Sequence, residues 1–186
     1  MKRLFLIAGL MTAFGLAVLA ASAASANFAG TWALDKAKSQ GLSQRMQGAD
    51  KVTWTITQDD KTISIDQKVE GGQPPAGGGG TGGGGGMGGG RPPAGPPPAY
   101  KLDGSEVTSD FTRGQATGKL TLKATWAGDA LELSRKTVLT TEQGDRTSTN
   151  TQKLSLSGDG KVLTAVVHSE GGQGGPTDST LVFNKQ

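Results

Sequence analysis

The sequence predicts an all-β protein, an antiparallel up-and-down meander of about 8–10 strands that closes into a barrel. Apolar and polar side chains alternate along residues 118–168, for example from Leu120 to Trp126, which is the period-two pattern of a pleated strand. Short turns containing Gly and Asp separate these segments, and no convincing helical pattern lies between them. A long meander usually closes on itself to avoid exposed edges, so we expect a barrel, with a two-sheet β-sandwich as the alternative.

The first 26 residues have the features of a secretory signal peptide. A basic start, Lys2 and Arg3, precedes an apolar stretch over residues 4–20, and two small-residue cleavage patterns follow it. The apolar stretch is short for a bilayer-spanning helix, which needs about 20 apolar residues. We therefore expect cleavage after Ala26, or alternatively after Ala23, and a periplasmic or secreted protein that forms one domain over residues 27–186.

The composition of residues 27–186 argues against some classes of function. Without Lys2 and Arg3 the chain has 17 Lys and Arg against 16 Asp and Glu, a net charge of +1, and its basic residues are scattered. This balance gives no reason to expect a nucleic-acid partner. The chain also has no cysteine, so packing must stabilise the fold without disulfides.

The first half of the mature chain predicts a strand, a less regular segment and a hairpin. Phe28 and Trp32 supply large apolar groups around Gly30, which allows a tight backbone turn. Residues 35–47 contain helix formers but no clean apolar stripe, and they predict a short helix or an irregular lid. Residues 51–58 and 61–66 alternate as two strands joined by a turn.

Residues 71–99 differ in composition from the rest, because they hold 15 of the 31 glycines and seven of the eight prolines. Such a segment cannot bury enough apolar surface to offset its ordering entropy, and it is expected to be a disordered loop. Its poly-Gly run lacks the Lys-Ser/Thr and the following helix of a phosphate-binding loop. Strand patterns on both sides are too few for separate cores, so the loop interrupts one domain.

The second half of the chain predicts the rest of the meander. Residues 99–102 and 106–112 read as strands joined by a hairpin turn at Asp103-Gly104. The alternating ladder over residues 118–168 follows, and residues 177–184 form the last strand. Val138 beside Leu139 leaves open a β-bulge, which would reverse the faces of the strand beyond it.

The opening segment Phe28-Ala29-Gly30-Thr31-Trp32 resembles the G-x-W motif of the lipocalins and their calycin relatives, and the order of hairpins is similar to exported bacterial lipocalin-like proteins. The resemblance implies that Trp32 plugs the closed end of the barrel, with Phe28 and Gly30 beside it. In lipocalins a late arginine stacks on that tryptophan, and the last strand here offers Lys185. The resemblance also implies a small apolar or amphipathic ligand inside the barrel.

Aromatic side chains are the first candidates for a ligand-binding wall. A barrel of this size either fills its interior with side chains or holds one small ligand. Because large apolar residues normally lie inside, ordinary core packing is the competing explanation for each of them. The candidates are Trp54, Tyr100, Phe111 and Trp126.

Polar residues that share a face with apolar ones are more informative. Counting by twos from Leu131 and Leu133 leads to Arg135, and counting back from Leu154 leads to Gln152 and Asn150. If the strands keep register, these polar groups point into the barrel toward one end, as a ligand mouth requires. A bulge near Val138 would place them outside instead.

The sequence contains no recognisable catalytic or metal-binding arrangement. His168 is the only histidine, its orientation is undecided, and no cysteine or carboxylate pattern surrounds it. No nucleophile elbow and no pair of carboxylates at an arguable spacing is present either. We therefore expect a protein that is not an enzyme and has no cofactor and no metal.

The function expected from the sequence is that of a periplasmic or secreted binding barrel for a small apolar or amphipathic molecule. The alternative is a non-enzymatic structural or interaction protein of the cell envelope, with residues 71–99 as its contact arm. A membrane-spanning barrel has the same alternation with the faces exchanged, but the chain lacks the aromatic girdles of such barrels. We expect no span of the membrane after signal removal.

Overall fold

The computed structural model describes residues 26–71, 96–113, 116–142, 144–171 and 175–186. These residues form a single antiparallel sheet of ten strands that follow one another around a nearly closed barrel. The predicted all-β meander is therefore confirmed. In chain order the elements are β1 Gly30–Leu34, α1 Gln44–Gly48, β2 Lys51–Gln58, β3 Thr62–Glu70, β4 Ala99–Lys101, β5 Val107–Arg113, β6 Ala116–Ala127, β7 Ala130–Thr141, β8 Gly144–Leu156, β9 Val162–Glu170 and β10 Thr177–Lys185.

The first and last strands of the chain pair with each other, and the seam of the barrel, where its wall is not closed by strand pairing, lies between β4 and β5. β1 pairs with β10, with Trp32 opposite Lys185, so the sheet runs in the order β4-β3-β2-β1-β10-β9-β8-β7-β6-β5. The two ends of the sheet are β4 and β5. β5 begins pairing with β6 at Leu122, and β4 lies beside the end of β6 that extends past this point. The wall is therefore nearly closed where β4 approaches β6.

The hairpin predicted at Asp103-Gly104 is wrong, although the turn itself forms. The Asp103 carboxylate accepts hydrogen bonds from the backbone N–H and the hydroxyl of Ser105, and Gly104 has a φ of 82°. The strands on either side do not pair with each other, because β4 pairs with β3 and β5 pairs with β6. The hydrogen bonds of Asp103 and the positive φ of Gly104 explain the turn. The two strands beside it take different partners because the seam of the barrel lies between them.

The ladder between β6 and β7 is continuous, and it decides the register that the sequence left open. Every residue from Thr117 to Ala127 has its partner on β7, including Lys119 opposite Val138. No bulge interrupts this fully described stretch, so the alternation continues from Leu131 through Arg135 and beyond. The polar residues of β7 and β8 therefore share a face with the buried leucines.

The connection from β1 to β2 packs against one end of the barrel. Ser43 caps α1 by accepting a hydrogen bond from the backbone N–H of Met46, whose side chain is buried. The Lys36 ammonium donates to the backbone carbonyls of Gln47 and Ala49 at the end of α1. The short helix that residues 35–47 predicted is thus present, a few residues later than the centre of that segment.

Two predictions concern residues outside the described part of the chain. The signal peptide falls on residues 1–26, of which only the last is described, and the loop predicted over 71–99 lies outside it for residues 72–95. At the end of that segment β4 already begins at Ala99. Within the described ranges, no helix has the length and apolar character needed to cross a membrane.

Candidate functional site

The inward-facing side chains change character along the barrel. On β7, Leu131 and Leu133 are fully buried, whereas Arg135, two residues further on, is half-buried. The inward positions of β8 and β10 show the same change from buried and apolar to polar and exposed. Leu154 on β8 and Phe183 on β10 are fully buried, and the inward residues toward the other end of each strand are first polar and then exposed. One end of the barrel is filled with apolar side chains, and the other carries polar groups that water reaches.

A chain of hydrogen bonds links polar side chains of β8 and β9 on this inner face. The Gln152 amide donates to Asn150 Oδ1 at 2.9 Å, and Asn150 Nδ2 donates to the Ser169 hydroxyl at 2.7 Å. Asn150 is 5% exposed and is the one buried polar or charged side chain of the described residues. A buried amide is tolerated when it is hydrogen-bonded, and here both ends of the Asn150 amide have a partner.

The register of the sheet brings these residues to one level of the wall. Ser169 lies opposite Asn150, and Asn150 lies opposite Arg135, so the three form one row across β9, β8 and β7. Gln152 belongs to the next row, between Leu133 and Val167. We call Tyr100, Arg135, Asn150, Gln152 and Ser169 the inner polar band.

Tyr100 joins the inner polar band from β4. Its side chain is 7% exposed, and burial raises its pKa to about 12, although the nearby positive charge of Arg135 lowers it in part. The phenol is therefore neutral at physiological pH. On β4 Tyr100 lies opposite Ile63, which is fully buried.

Tyr100 and Arg135 are not part of the hydrogen-bond chain that Gln152, Asn150 and Ser169 form. Among the residues that the structure describes, none forms a hydrogen bond or an ion pair with either side chain. Asn150, by contrast, is engaged with Gln152 and Ser169. The inner polar band thus combines a hydrogen-bonded amide chain with one buried phenol and one half-buried guanidinium.

Trp54, a predicted wall residue, lies in the packed core. It is 1% exposed, its ring lies 4.3 Å from that of Phe183 between centroids, and its indole N–H donates to Gln67 Oε1 at 3.1 Å.

Phe111, another candidate for the ligand-binding wall, is half-buried and covers Gly118, its direct partner on β6. A methyl group added to Gly118 would lie 2.3 Å from the Phe111 ring, so the ring occupies the space a larger residue would fill.

Trp126 lies at the opposite end from the inner polar band. It pairs with Leu131, four residues before Arg135, which is about 13 Å along an extended strand. Its ring stacks on that of Phe28 with centroids 6.1 Å apart. The structure thus brings Tyr100, Arg135, Asn150 and Gln152 together but places Trp126 in the closed end of the barrel.

The closed end consists of Phe28, Trp32, Trp126 and Lys185. Trp32 is fully buried, and its indole N–H donates to the Phe28 carbonyl at 2.9 Å. The Lys185 ammonium lies 5.2 Å from the centre of the Trp32 ring. Gly30 has a φ of 138°, and its missing side chain leaves room for the Lys185 stem. These contacts explain why G-x-W sits here.

A cleft of about 700 Å³ lies beside the closed end. Its walls include Trp126 and Leu102 together with the turns around Asp59 and Asp103. The Asp59 carboxylate accepts hydrogen bonds from the backbone N–H groups of Lys61 and Thr62, and these bonds lower its pKa. The carboxylates of Asp59 and Asp103 therefore stabilise their own turns.

His168 points outward, which settles the orientation that the sequence left open. Its Nδ1 lies 2.6 Å from an Asp178 oxygen and its Nε2 lies 3.0 Å from a Glu170 oxygen, and these hydrogen bonds raise its pKa. Because the two carboxylates contact different nitrogens on opposite sides of the ring, they cannot both bind one metal ion. No group of three or more metal-ligating side chains occurs among the described residues.

Sequence reasoning missed Ser169 as a member of the inner polar band. The signal was present, because Leu163, Ala165 and Val167 alternate on β9 and the next position on that face is Ser169. It was obscured by Val162 and Val166, which make both faces of the strand apolar.

No protein-family model matches the chain, and no curated protein is similar enough to count as a relative.

Proposed function

We propose that the protein is an exported lipocalin-like β-barrel that binds a small apolar or amphipathic molecule at the inner polar band. The observation that carries this proposal is the change along the inner face from fully buried leucines to Arg135, Asn150 and Gln152. Binding sites are mostly apolar with a few convergent polar groups, and this combination is what the inner polar band and its neighbours offer.

The position of Lys185 supports the lipocalin-like part of the proposal. A basic side chain from the last strand lies on the ring of Trp32, as the late arginine does in lipocalins. Trp32 and Phe28 fill the end opposite the inner polar band, so a ligand would enter from the band end. Export would place the protein where it meets extracellular or periplasmic ligands.

The test is titration of the protein, purified after expression of the full-length chain, with the neutral fluorophore phenylnaphthylamine. Saturable enhancement of its fluorescence, with energy transfer from tryptophan, is the expected result. Ser169→Phe should abolish it by filling the inner face, whereas Val166→Phe, an outward change at a side chain that is 50% exposed, should leave it intact. Circular dichroism checks that both variants fold.

Two results would overturn the proposal. One is the absence of saturable binding to the unmodified protein, which would leave the structural or interaction role in the cell envelope as the better explanation. The other is equal binding by the folded Ser169→Phe and Val166→Phe variants, since a ligand on the outer surface would not distinguish an inward from an outward phenylalanine.

A further inference from the structure

The charges of the barrel are sorted by sign between its two faces. The ten strands contain seven acidic residues, and each occupies an outward position in the alternation of its strand: Asp66, Glu70, Asp110, Glu132, Asp145, Glu170 and Asp178. Inward positions toward the band end instead include Arg135 and Arg146. The inner face of the described strands therefore carries positive charge without a carboxylate.

Arg135 is the charge that lies deepest in this half of the barrel. It follows the fully buried Leu133 on the same face and is itself half-buried, whereas Arg146 is exposed. No described carboxylate forms an ion pair with Arg135. Holding a guanidinium in a partly dry interior without a counter-charge costs free energy, and a negatively charged ligand would remove that cost.

The surroundings of Arg135 suit an acidic head group attached to an apolar body. A guanidinium can donate two parallel hydrogen bonds to a carboxylate, sulfonate or phosphate. Tyr100, buried on β4, is a neutral phenol and does not repel an anion. Leu122 lies opposite Arg135, and below this level the inner face is lined by apolar side chains such as Leu133 and Val167.

We infer that the ligand is an amphipathic anion, with its acidic head group on Arg135 and its apolar part directed toward the buried leucines. This inference rests on the proposed function and narrows it to one chemical class. A cationic amphiphile would meet Arg135 with like charge, and a neutral one would leave the guanidinium without a counter-charge.

The experiment compares three ligands that share one alkyl chain: dodecanoate, dodecanol and dodecyltrimethylammonium. Each is used below its micelle concentration to displace phenylnaphthylamine from the purified protein at neutral pH. Because a hydrogen bond to a charged group is worth about 1.5–3 kcal/mol, dodecanoate should bind about tenfold tighter than dodecanol, or better. The ammonium compound should bind weakest.

Arg135→Gln should remove this preference for dodecanoate, and Arg135→Lys should keep part of it. The matched control is Lys136→Gln, which removes the same charge from the neighbouring, outward and exposed position of β7 and should change nothing. Circular dichroism verifies folding. The comparison of the three ligands on the unmodified protein tests the inference even if a variant does not fold.

The outcomes separate this inference from the proposed function. If no ligand displaces the fluorophore and the fluorophore itself does not bind, the proposed function fails. If all three ligands bind with similar affinity, or if Arg135→Gln and Lys136→Gln behave alike, the barrel binds ligands but the anionic class is wrong. A preference for dodecanoate that disappears in Arg135→Gln alone supports the inference.

Discussion

The ammonium group of Lys185 lies 5.2 Å from the centre of the Trp32 ring, directly across the pairing of the last strand with the first. Trp32 is fully buried, and the exposed Lys185 lies over its ring. The contact joins the first and last strands of the chain, β1 and β10, at the closed end of the barrel. It therefore links the pairing of β1 with β10 to the burial of the Trp32 side chain.

Removing the Lys185 ammonium should weaken the closed end. A cation–π contact at such a site is worth about 0.5–1 kcal/mol, so Lys185→Met, which keeps an apolar stem, should lower the free energy of unfolding by about that amount. Lys185→Arg, which keeps the positive charge, should keep the free energy of unfolding close to that of the unmodified protein. Denaturant unfolding measures the effect, and Lys153→Met, an exposed position of β8, is the control. Equal losses in both methionine variants would refute a specific contact.

Adding a methyl group at Gly118 should disturb the ring of Phe111. The added atom would lie 2.3 Å from that ring, so the half-buried ring must move, at a cost of about 1–3 kcal/mol in the free energy of unfolding. Gly158→Ala, where no atom lies within 4 Å, should be close to neutral. In the Phe111→Leu background the Gly118→Ala change should cost less, and an unchanged cost would contradict the proposed contact.

The pairing of His168 with Asp178 and Glu170 should make stability depend on pH. The folded pKa of His168 lies above its ordinary value of 6.5 because both carboxylates bind the charged ring. Its stabilising contribution is complete below the unfolded pKa and is lost as pH rises through the folded pKa. Thermal melts should show that His168→Gln loses more stability at pH 5 than at pH 9.

A matched variant separates this effect from general acid sensitivity. Thr151, the partner of His168 on β8, carries no charge, so Asp178 and Glu170 are the charged groups beside the ring. Asp178→Asn should shrink the pH-dependent difference between the protein and its His168→Gln variant. The same difference at pH 5 and pH 9 would show that the ion pairs contribute nothing.

The prediction that residues 1–26 are a cleaved signal peptide can be tested by measuring the mass of the protein. We expect a chain that begins at Asn27, or at Ala24 if the earlier small-residue pattern is used. Intact-mass spectrometry of protein from the periplasm or medium of an expressing bacterium distinguishes the two. Ala26→Arg should block the first cut. Recovery only of uncut chain from the cell interior would contradict export.

The alternation of side chains made much of the inner polar band predictable from the sequence. Arg135 lies two residues after Leu133, and Gln152 and Asn150 lie two and four residues before Leu154; the structure places all three on the same face as those leucines. Whether a bulge near Val138 would break that pattern was open, because a single inserted residue leaves no dependable local signature. The continuous β6–β7 ladder decided it.

Strand content and the alternation of side chains along each strand were determined by the sequence itself, because the period of two is a property of the local backbone. The tertiary structure alone decided that Ser169 meets Asn150, that Trp126 lies at the end opposite Arg135, that β4 and β5 do not pair, and that Lys185 covers Trp32. Each of these depends on the register between strands distant in the chain. That register is set by how the whole wall closes around its core.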